Sequence, residues 1–292
     1  MTTQIVVHLL PHEIDWFEWQ SKQFKLGSYY INSNDKVIID VTLNLNLVDW
    51  GKSQLPKQFF IDKFNQIETL WDWAKTQFII DEENKCLGCN DKRREAIRST
   101  TADNILYLDN DLLFRPELLY YIREAAKNTN QDYYIISPQT ARMWDDSWDV
   151  ITNKQYLNIP SNMERYYNND PFEIIVNVSE EDLNLVPINQ FKFGGGWFNL
   201  ISTKLLKFTD IPNSLGPYGI DDLYVMICCD IMKKRKYNIQ QYVLEGTIVI
   251  ENFKYRWNPY KNYLHLLNKQ DEFRKQAENN LNQEIQNFIN RI

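Results

Sequence analysis

The sequence lacks the features that mark several broad protein classes. Its 292 residues contain no run that approaches the roughly 20 apolar residues of a membrane-spanning helix. Lys and Arg together number 32 against 39 Asp and Glu, so the formal net charge is −7. A nucleic-acid binder normally carries a basic excess instead. We therefore expect neither a transmembrane segment nor a nucleic-acid partner.

Cysteine is also scarce, with only Cys86, Cys89, Cys228 and Cys229. A C-x-x-C and an adjacent pair do not form the dispersed framework of a disulfide-stabilised fold, and an adjacent pair suits a zinc site poorly. Residues Met1–Leu10 lack the basic start and long apolar stretch of a signal peptide. We expect a cytoplasmic protein, with peripheral attachment to a membrane as the alternative.

Aromatic residues, in contrast, are abundant. They make up 14% of the chain, including nine Trp and seventeen Tyr, and hydrophobic residues as a whole reach 43%. The hydrophobic fraction excludes wholesale disorder. An acidic, aromatic-rich protein is suited to stacking on flat neutral surfaces such as sugar rings, although a large core uses the same side chains. Composition leaves both explanations open.

Strands and helices are predicted to alternate along the chain. The apolar run Ile5–Leu10 and the β-branched segment Val37–Leu47 predict strands, whereas an apolar stripe predicts a helix over Gln58–Phe78. Further strands are predicted at Ile105–Leu108, Tyr133–Ile136 and Tyr242–Ile250, and further helices at Ile14–Phe24, Asn90–Thr100, Pro116–Lys127, Thr203–Phe208, Ile220–Lys234 and Asp271–Ile289. This alternation predicts an α/β fold with a mostly parallel central sheet flanked by helices and a C-terminal helix.

A single large domain is expected, because no internal repeat or low-complexity linker interrupts the chain. We place it at residues 1–265. Within it, residues 139–190 are rich in Asn, Asp, Trp and Tyr and poorly periodic, which predicts a loop-rich insertion. Residues 266–292 form a C-terminal helical tail.

Two carboxylates, Asp109 and Asp111, directly follow an apolar strand. In α/β proteins, ligands bind at this end of the strands. Hard oxygen ligands suit Mg²⁺ or Mn²⁺, and such an ion would neutralise a diphosphate leaving group. A turn or cap before the next helix explains the same residues, since a bare D-x-D is common.

A second candidate block combines Gly194–Gly196 and Trp197 with the later pair Asp221 and Asp222. Glycines allow a backbone or a sugar to approach closely because no Cβ intervenes. The tryptophan could stack on a sugar or belong to the core. The two aspartates open a predicted helix, where the helix dipole favours carboxylates in any case.

In their order, these segments resemble the nucleotide-sugar-dependent glycosyltransferases of the GT-A fold. Members of that family have, in the same order along the chain, a basic helix (here Asn90–Thr100), a strand ending in D-x-D, a glycine-rich block and an acidic pair. The resemblance runs from Ile5 to about Ile250. It implies a metal-dependent transferase that moves a sugar from a nucleotide-diphosphate sugar to a hydroxyl of a glycan or glycoconjugate, with inversion and with Mn²⁺ or Mg²⁺ as cofactor.

The resemblance also implies roles for individual residues. Asp109 would contact the nucleotide, directly or through the metal, and Asp111 would be the main metal ligand. Asp222 is the favoured base for the acceptor hydroxyl, with Asp221 as the alternative. The remaining candidates for donor binding are Arg93, Arg94, Gly195, Gly196 and Trp197.

Two positions depart from the family pattern. Many members carry a histidine ligand after the final strand, but here Glu251 and Asn252 occupy that place. Glu251 and the later His265 are therefore both candidates for a third metal ligand. The family's acidic residue for the base or ribose has no clear counterpart, and Asp40 is the nearest candidate.

Two other functions remain open. A nucleotidyltransferase of sugar phosphates would share the α/β fold and the metal carboxylates, but it normally has a glycine-rich, basic loop after its first strand. The segment Leu9–Glu13 contains no Gly, Lys or Arg. A non-catalytic glycan-binding or assembly protein could also retain this fold.

Overall fold

One nine-stranded sheet forms the centre of the molecule. The computed structural model describes residues 1–51, 53–141, 146–159, 171–177, 183–191, 197–252 and 266–292. The strands are β1 (Thr2–Leu9), β2 (Lys36–Asn44), β3 (Lys75–Asp81), β4 (Asn104–Tyr107), β5 (Leu112–Phe114), β6 (Tyr133–Thr140), β7 (Asn184–Ile188), β8 (Asn199–Ser202) and β9 (Ile239–Glu251). The helices are α1 (Ile14–Gly27), α2 (Lys57–Glu68), α3 (Cys89–Ser99), α4 (Leu118–Lys127), α5 (Pro171–Asn177), α6 (Thr203–Thr209), α7 (Asp221–Lys234) and α8 (Leu266–Arg291).

The strand order is β3-β2-β1-β4-β8-β6-β9-β5, and β7 also pairs with β9. The first four strands in this order are parallel neighbours, whereas β8 runs antiparallel between β4 and β6. From β1 the chain builds outward through β2 to β3, then crosses to the other side of β1 to form β4. This reversal opens a crevice at the carboxyl ends of β1 and β4, the place where α/β sheets bind ligands.

Helices cover both faces of the sheet. Ile5 and Val7 of β1 belong to the core cluster that contains residues of α1, α2 and α4, whereas Val6 belongs to the cluster formed with α3, α6, α7 and α8. This alternation is the two-residue period of a strand that is buried on both faces. Cys228 and Cys229 are free and buried in the second cluster, as the apolar pattern of α7 predicts. The predicted α/β fold class is confirmed.

The helix predicted over Gln58–Phe78 is wrong in its second half. Helix α2 ends at Glu68, a 3₁₀ turn follows at Thr69–Trp71, and Lys75–Asp81 is strand β3, paired with β2. The helical stripe continues through the turn by coincidence. Because β3 lies at the edge of the sheet, its side chains alternate between exposed and half-buried, which is a weak strand signal in sequence.

The segments predicted as an insertion and a tail both contact the sheet or its helices. Part of residues 139–190 forms β7, which pairs with β9. Helix α8 buries Ala277 and Phe288, and the side chain of Asn280 donates a hydrogen bond of 2.7 Å to the carbonyl of Ser214. The domain limits remain predictions. None of the helices that the structure describes combines the length and apolar character of a membrane span.

Gly88, which precedes α3, fits tightly against the turn before α7. A Cβ at this position would lie 2.2 Å from the carbonyl oxygen of Pro217, closer than atoms pack in proteins. We expect Gly88→Ala to lower the free energy of unfolding by about 1–3 kcal/mol, measured by denaturant titration. Gly51→Ala is the control, since its Cβ would meet only a side-chain oxygen of Asp49 at 3.2 Å. Equal stability of the two variants would contradict the close approach.

Candidate active site

A cavity of about 520 Å³ opens at the crevice between β1 and β4. Its walls come from the end of β1, the first turn of α3, the segment after β4, the turn before α7 and the first described turns of α8. The cavity brings together two acidic motifs that are far apart in sequence, Asp109 with Asp111 and Asp221 with Asp222. The two blocks singled out by the sequence therefore meet in one site.

The middle residue of the first motif, Asn110, holds the loop in place. Its side-chain amide donates hydrogen bonds to the carbonyl of His8 (2.7 Å) and to the carboxylate of Glu13 (2.9 Å). The side chain of Gln20 donates a further bond of 2.9 Å to the carbonyl of Asp109. These bonds secure the backbone after β4, so that the flanking carboxylates remain available to the cavity.

Arg93 links the two acidic motifs. Its guanidinium donates to Asp221 at 2.7 Å and to Asp109 at 3.2 Å, and it lies 4.7 Å from the centre of the Tyr107 ring. Both Arg93 and Asp221 are buried. Asp221 is the buried partner of this arginine and Asp109 the more exposed one, so that the loss of Asp221 would leave the buried guanidinium with only its longer contact to Asp109.

The two aspartates at the start of α7 have different surroundings. Asp221 is committed to Arg93, whereas Asp222 is exposed and lines the cavity, accepting only the backbone N–H of Leu223 at 2.8 Å among its recorded bonds. Protein atoms nevertheless surround the cavity, and this desolvation, together with the charge of Asp221, raises the pKa of Asp222. Ile220, just before the helix, has a left-handed backbone with φ of 50°, a strained conformation for a β-branched residue.

Carboxylates are crowded around Asp111. Desolvation raises its pKa well above the usual range, and the charges of Glu251, Asp109 and Glu13 raise it further. Desolvation also raises the pKa of Asp109 to about 6, an effect that Arg93 opposes and neighbouring carboxylates increase. One arginine does not offset this many acids, so the end of β4 favours a bound cation.

Among the described residues, no group of three Asp, Glu, His or Cys side chains is arranged to enclose a metal ion. Mg²⁺ needs no such enclosure, because proteins hold it with one or two carboxylates while water and substrate phosphates complete its shell. The crowded pair Asp109 and Asp111 fits that mode of binding. His265, the candidate third ligand, lies outside the described residues. Glu251 is buried at the end of β9, close enough to influence Asp111.

Two predicted donor-binding residues lie elsewhere. The guanidinium of Arg94 donates to the carbonyls of Ile211 (2.9 Å) and Gly216 (3.1 Å), which join α3 to the turn after α6. Trp197 is buried and packs edge-on against Trp148, with ring centres 5.5 Å apart, and it does not line the cavity. These contacts give Arg94 and Trp197 structural roles, and we leave both out of the proposed donor site.

Other sequence candidates also lie away from the cavity or outside the described structure. Gly195 and Gly196 belong to residues 192–196, which are not among the described residues. Asp40 is buried in β2 and accepts hydrogen bonds from Lys92 (2.5 Å) and Gln4 (2.9 Å). It therefore has buried partners and does not line the cavity.

The cavity also contains residues that the sequence had not singled out as site candidates, among them His8, Phe273 and Arg274. Burial lowers the pKa of His8 to about 4, so its imidazole is neutral at pH 7. His8 lies at the end of the first strand, where α/β sheets bind ligands, so its position in the sequence could have identified it. Tyr218 also lines the cavity, and it lies close to the acidic pair in sequence. Phe273 and Arg274 reach the cavity only through the packing of α8, for which the sequence gives no local sign.

Comparisons with known proteins show distant similarity of fold. No family model matches the chain, and no curated protein matches its sequence. Among solved structures, the mannosyltransferase PcManGT from Pyrobaculum calidifontis, in complex with GDP-Man and Mn²⁺, has a TM-score of 0.49 and 13% identity over 90% of this chain and 58% of that one.

Two further structures are similar over 83% of this chain. S. aureus TarS has a TM-score of 0.45 and 13% identity over 36% of its chain. Glucosyl-3-phosphoglycerate synthase from Mycobacterium tuberculosis, in complex with Mn²⁺, UDP and glucosyl-3-phosphoglycerate, has a TM-score of 0.43 and 12% identity over 69% of its chain. The functional roles proposed below rest on the site of this chain itself.

Proposed function

We propose that this protein is a divalent-metal-dependent glycosyltransferase. It transfers a sugar from a nucleotide-diphosphate sugar to a hydroxyl of a glycan or glycoconjugate, with inversion. The observation that carries this proposal is the meeting of Asp109, Asp111 and Asp222 in one cavity at the β1–β4 crevice. Two carboxylates are available for a cation and a third for a proton, which is the division of labour that the reaction requires.

The donor side of the cavity is the end of β4. Asp109 and Asp111 would hold Mn²⁺ or Mg²⁺, which when bound supplies positive charge to the departing diphosphate. Arg93 keeps Asp109 in position through its contacts with Asp109 and Asp221. The hydrogen bonds of Asn110 hold the loop in place while negative charge develops on the leaving diphosphate. Electrostatic preorganisation of this kind lowers the cost of forming the charged leaving group.

The acceptor side of the cavity is the start of α7. Asp222 accepts the proton of the acceptor hydroxyl while the hydroxyl oxygen forms a bond to the anomeric carbon, and the bond from that carbon to the diphosphate oxygen breaks. The electron pair leaves with the diphosphate, and the base becomes a carboxylic acid. A raised pKa brings a carboxylate closer to the value at which it serves as an effective base near neutral pH. Asp221 is committed to Arg93 and acts as a positioning residue.

The residues that connect β1 to α1 argue against a nucleotidyltransferase. Pro11–Glu13 forms a 3₁₀ turn in which Glu13 brings negative charge to the cavity, where that class of enzyme carries a basic phosphate loop. A cytoplasmic location, with attachment to a membrane surface as the alternative, remains part of this proposal.

A screen of nucleotide sugars by thermal shift tests the proposed function. With Mn²⁺ present, we expect one donor at 100 times its Kd to stabilise the fold by about 2.7 kcal/mol, a rise in Tm of roughly 5 °C or more. The matching nucleoside monophosphate serves as the control, since it lacks the diphosphate whose charge a bound metal would neutralise. Absence of stabilisation by every nucleotide-diphosphate sugar, with Mn²⁺ and with Mg²⁺, would refute the proposal. A nucleotidyltransferase would instead release pyrophosphate from a nucleoside triphosphate and a sugar phosphate.

A further inference from the structure

The C-terminal helix α8 contributes a cation to the wall of the cavity. Arg274 lines the cavity, and the stem of its side chain packs on the turn that leads into the acidic pair of α7. A Cβ built on Gly219, whose φ is 90°, would lie 3.4 Å from both Cβ and Cγ of Arg274. This contact places the arginine on the Asp222 side of the cavity. Nothing in the local sequence of α8 indicates that this helix takes part in the site.

Of the three cationic side chains among the described cavity residues, Arg274 alone lacks a buried partner. Lys92, only 1% exposed, is paired with Asp40, and Arg93, 8% exposed, bridges two carboxylates. The Arg274 side chain is 63% exposed, and its recorded partner is Glu278, one turn along the same helix at 3.1 Å and itself 50% exposed. An exposed ion pair of this kind contributes little to the free energy of folding. An anionic ligand can therefore replace Glu278 as the partner of Arg274 with little loss of stability.

The cavity is strongly acidic, so that a cation in its wall affects which acceptors can bind. Five carboxylates line the described part of the cavity: Glu13, Asp109, Asp111, Asp221 and Asp222. Those at the end of β4 face the proposed metal, and at the start of α7 Arg93 pairs with Asp221. The remaining carboxylate, Asp222, has no recorded ion pair among the described residues. An acceptor that carries its own negative charge would be repelled by Asp222 unless a cation lay beside it. Arg274 can supply that cation, and its planar fork matches the geometry of phosphate and carboxylate oxygens.

We propose that Arg274 selects an acceptor that carries an anionic oxygen group, phosphate or carboxylate, close to the reacting hydroxyl. This inference rests on the proposed function and names the class of its acceptor. Arg274 is a specificity-determining residue that binds the charge of the acceptor, while Asp222 accepts the proton. Donor binding does not depend on it.

Binding measurements on the full chain separate these roles. The protein is first saturated with Mn²⁺ and the nucleoside diphosphate of the donor found by thermal shift. It is then titrated by calorimetry with glycerol 3-phosphate, glycerate and uncharged glycerol. We expect at least one of the two anions to bind and glycerol not to bind. Arg274→Met should weaken the anion about tenfold or more, because it loses charge-assisted hydrogen bonds but keeps the stem that packs on Gly219.

Two variants control this experiment. Lys275→Ala removes the same charge from the neighbouring exposed position of α8, outside the cavity, and should leave the affinity unchanged. Arg274→Lys should retain part of the binding. Equal affinity in the wild type and Arg274→Met, or no anion binding in the wild type, would overturn the acceptor proposal while nucleotide binding persists. If the wild type itself did not bind the nucleoside diphosphate, the proposed function would be refuted, and this inference with it.

Discussion

Replacement of Asp222 by Asn is expected to reduce kcat by about 10²–10⁴-fold, the usual contribution of a positioned general base. The amide has nearly the shape of the carboxylate and can still accept the backbone N–H of Leu223, but it cannot take a proton from the acceptor. Donor affinity should not fall, because the donor is held at the end of β4. Steady-state transfer kinetics and a donor titration on the same variant measure the two quantities.

Two other aspartates of α7 provide control variants for this prediction. Asp230→Asn changes a half-exposed carboxylate of the same helix that pairs with Lys234, and it should leave kcat unchanged. Asp221→Asn should instead lower stability, because it leaves Arg93 with an incomplete buried ion pair. If Asp222→Asn kept most of the wild-type kcat, the assignment of the base to Asp222 would be wrong.

Replacement of Asp111 by Asn should abolish metal-dependent donor binding and also stabilise the metal-free protein. The first effect, a loss of about a hundredfold or more in kcat/KM, follows from the several kcal/mol that a bound metal supplies to the leaving group. The second follows from charge crowding, because Asp111 is desolvated and lies near Glu251 and Asp109. Removing its charge should raise the Tm by a few degrees.

Thermal unfolding with and without Mn²⁺ measures both effects in one experiment. Wild-type protein should gain stability with Mn²⁺ and donor, whereas Asp111→Asn should be more stable without them and gain nothing from them. The control is Asp132→Asn, an exposed carboxylate that pairs with Lys204 outside the cavity, which should behave as the wild type. A variant that keeps its Mn²⁺ response would show that Asp111 is not a metal ligand.

Much of the fold could be predicted because the relevant signals are local. The apolar runs at β1 and β4, the helical spacing of apolar residues in α1 and the basic segment of α3 identify elements whose bounds agree with the structure to within a few residues. Predictions failed where an element takes its identity from a neighbour. Strand β3 exists because β2 offers a paired edge, and β7 because β9 does. No periodicity within either segment is strong enough to reveal such a partner.

The sequence by itself determined that a strand ends in Asp109 and Asp111 and that a helix starts with an acidic pair. Only the tertiary structure decided which charges have protein partners. Arg93 holds Asp221, while Arg94 binds backbone carbonyls and Asp222 lines the cavity. Local pattern encodes which face of an element is buried. Charge pairing and the arrival of α8 depend on distances between residues remote in the chain, which are set only when the sheet and its helices pack together.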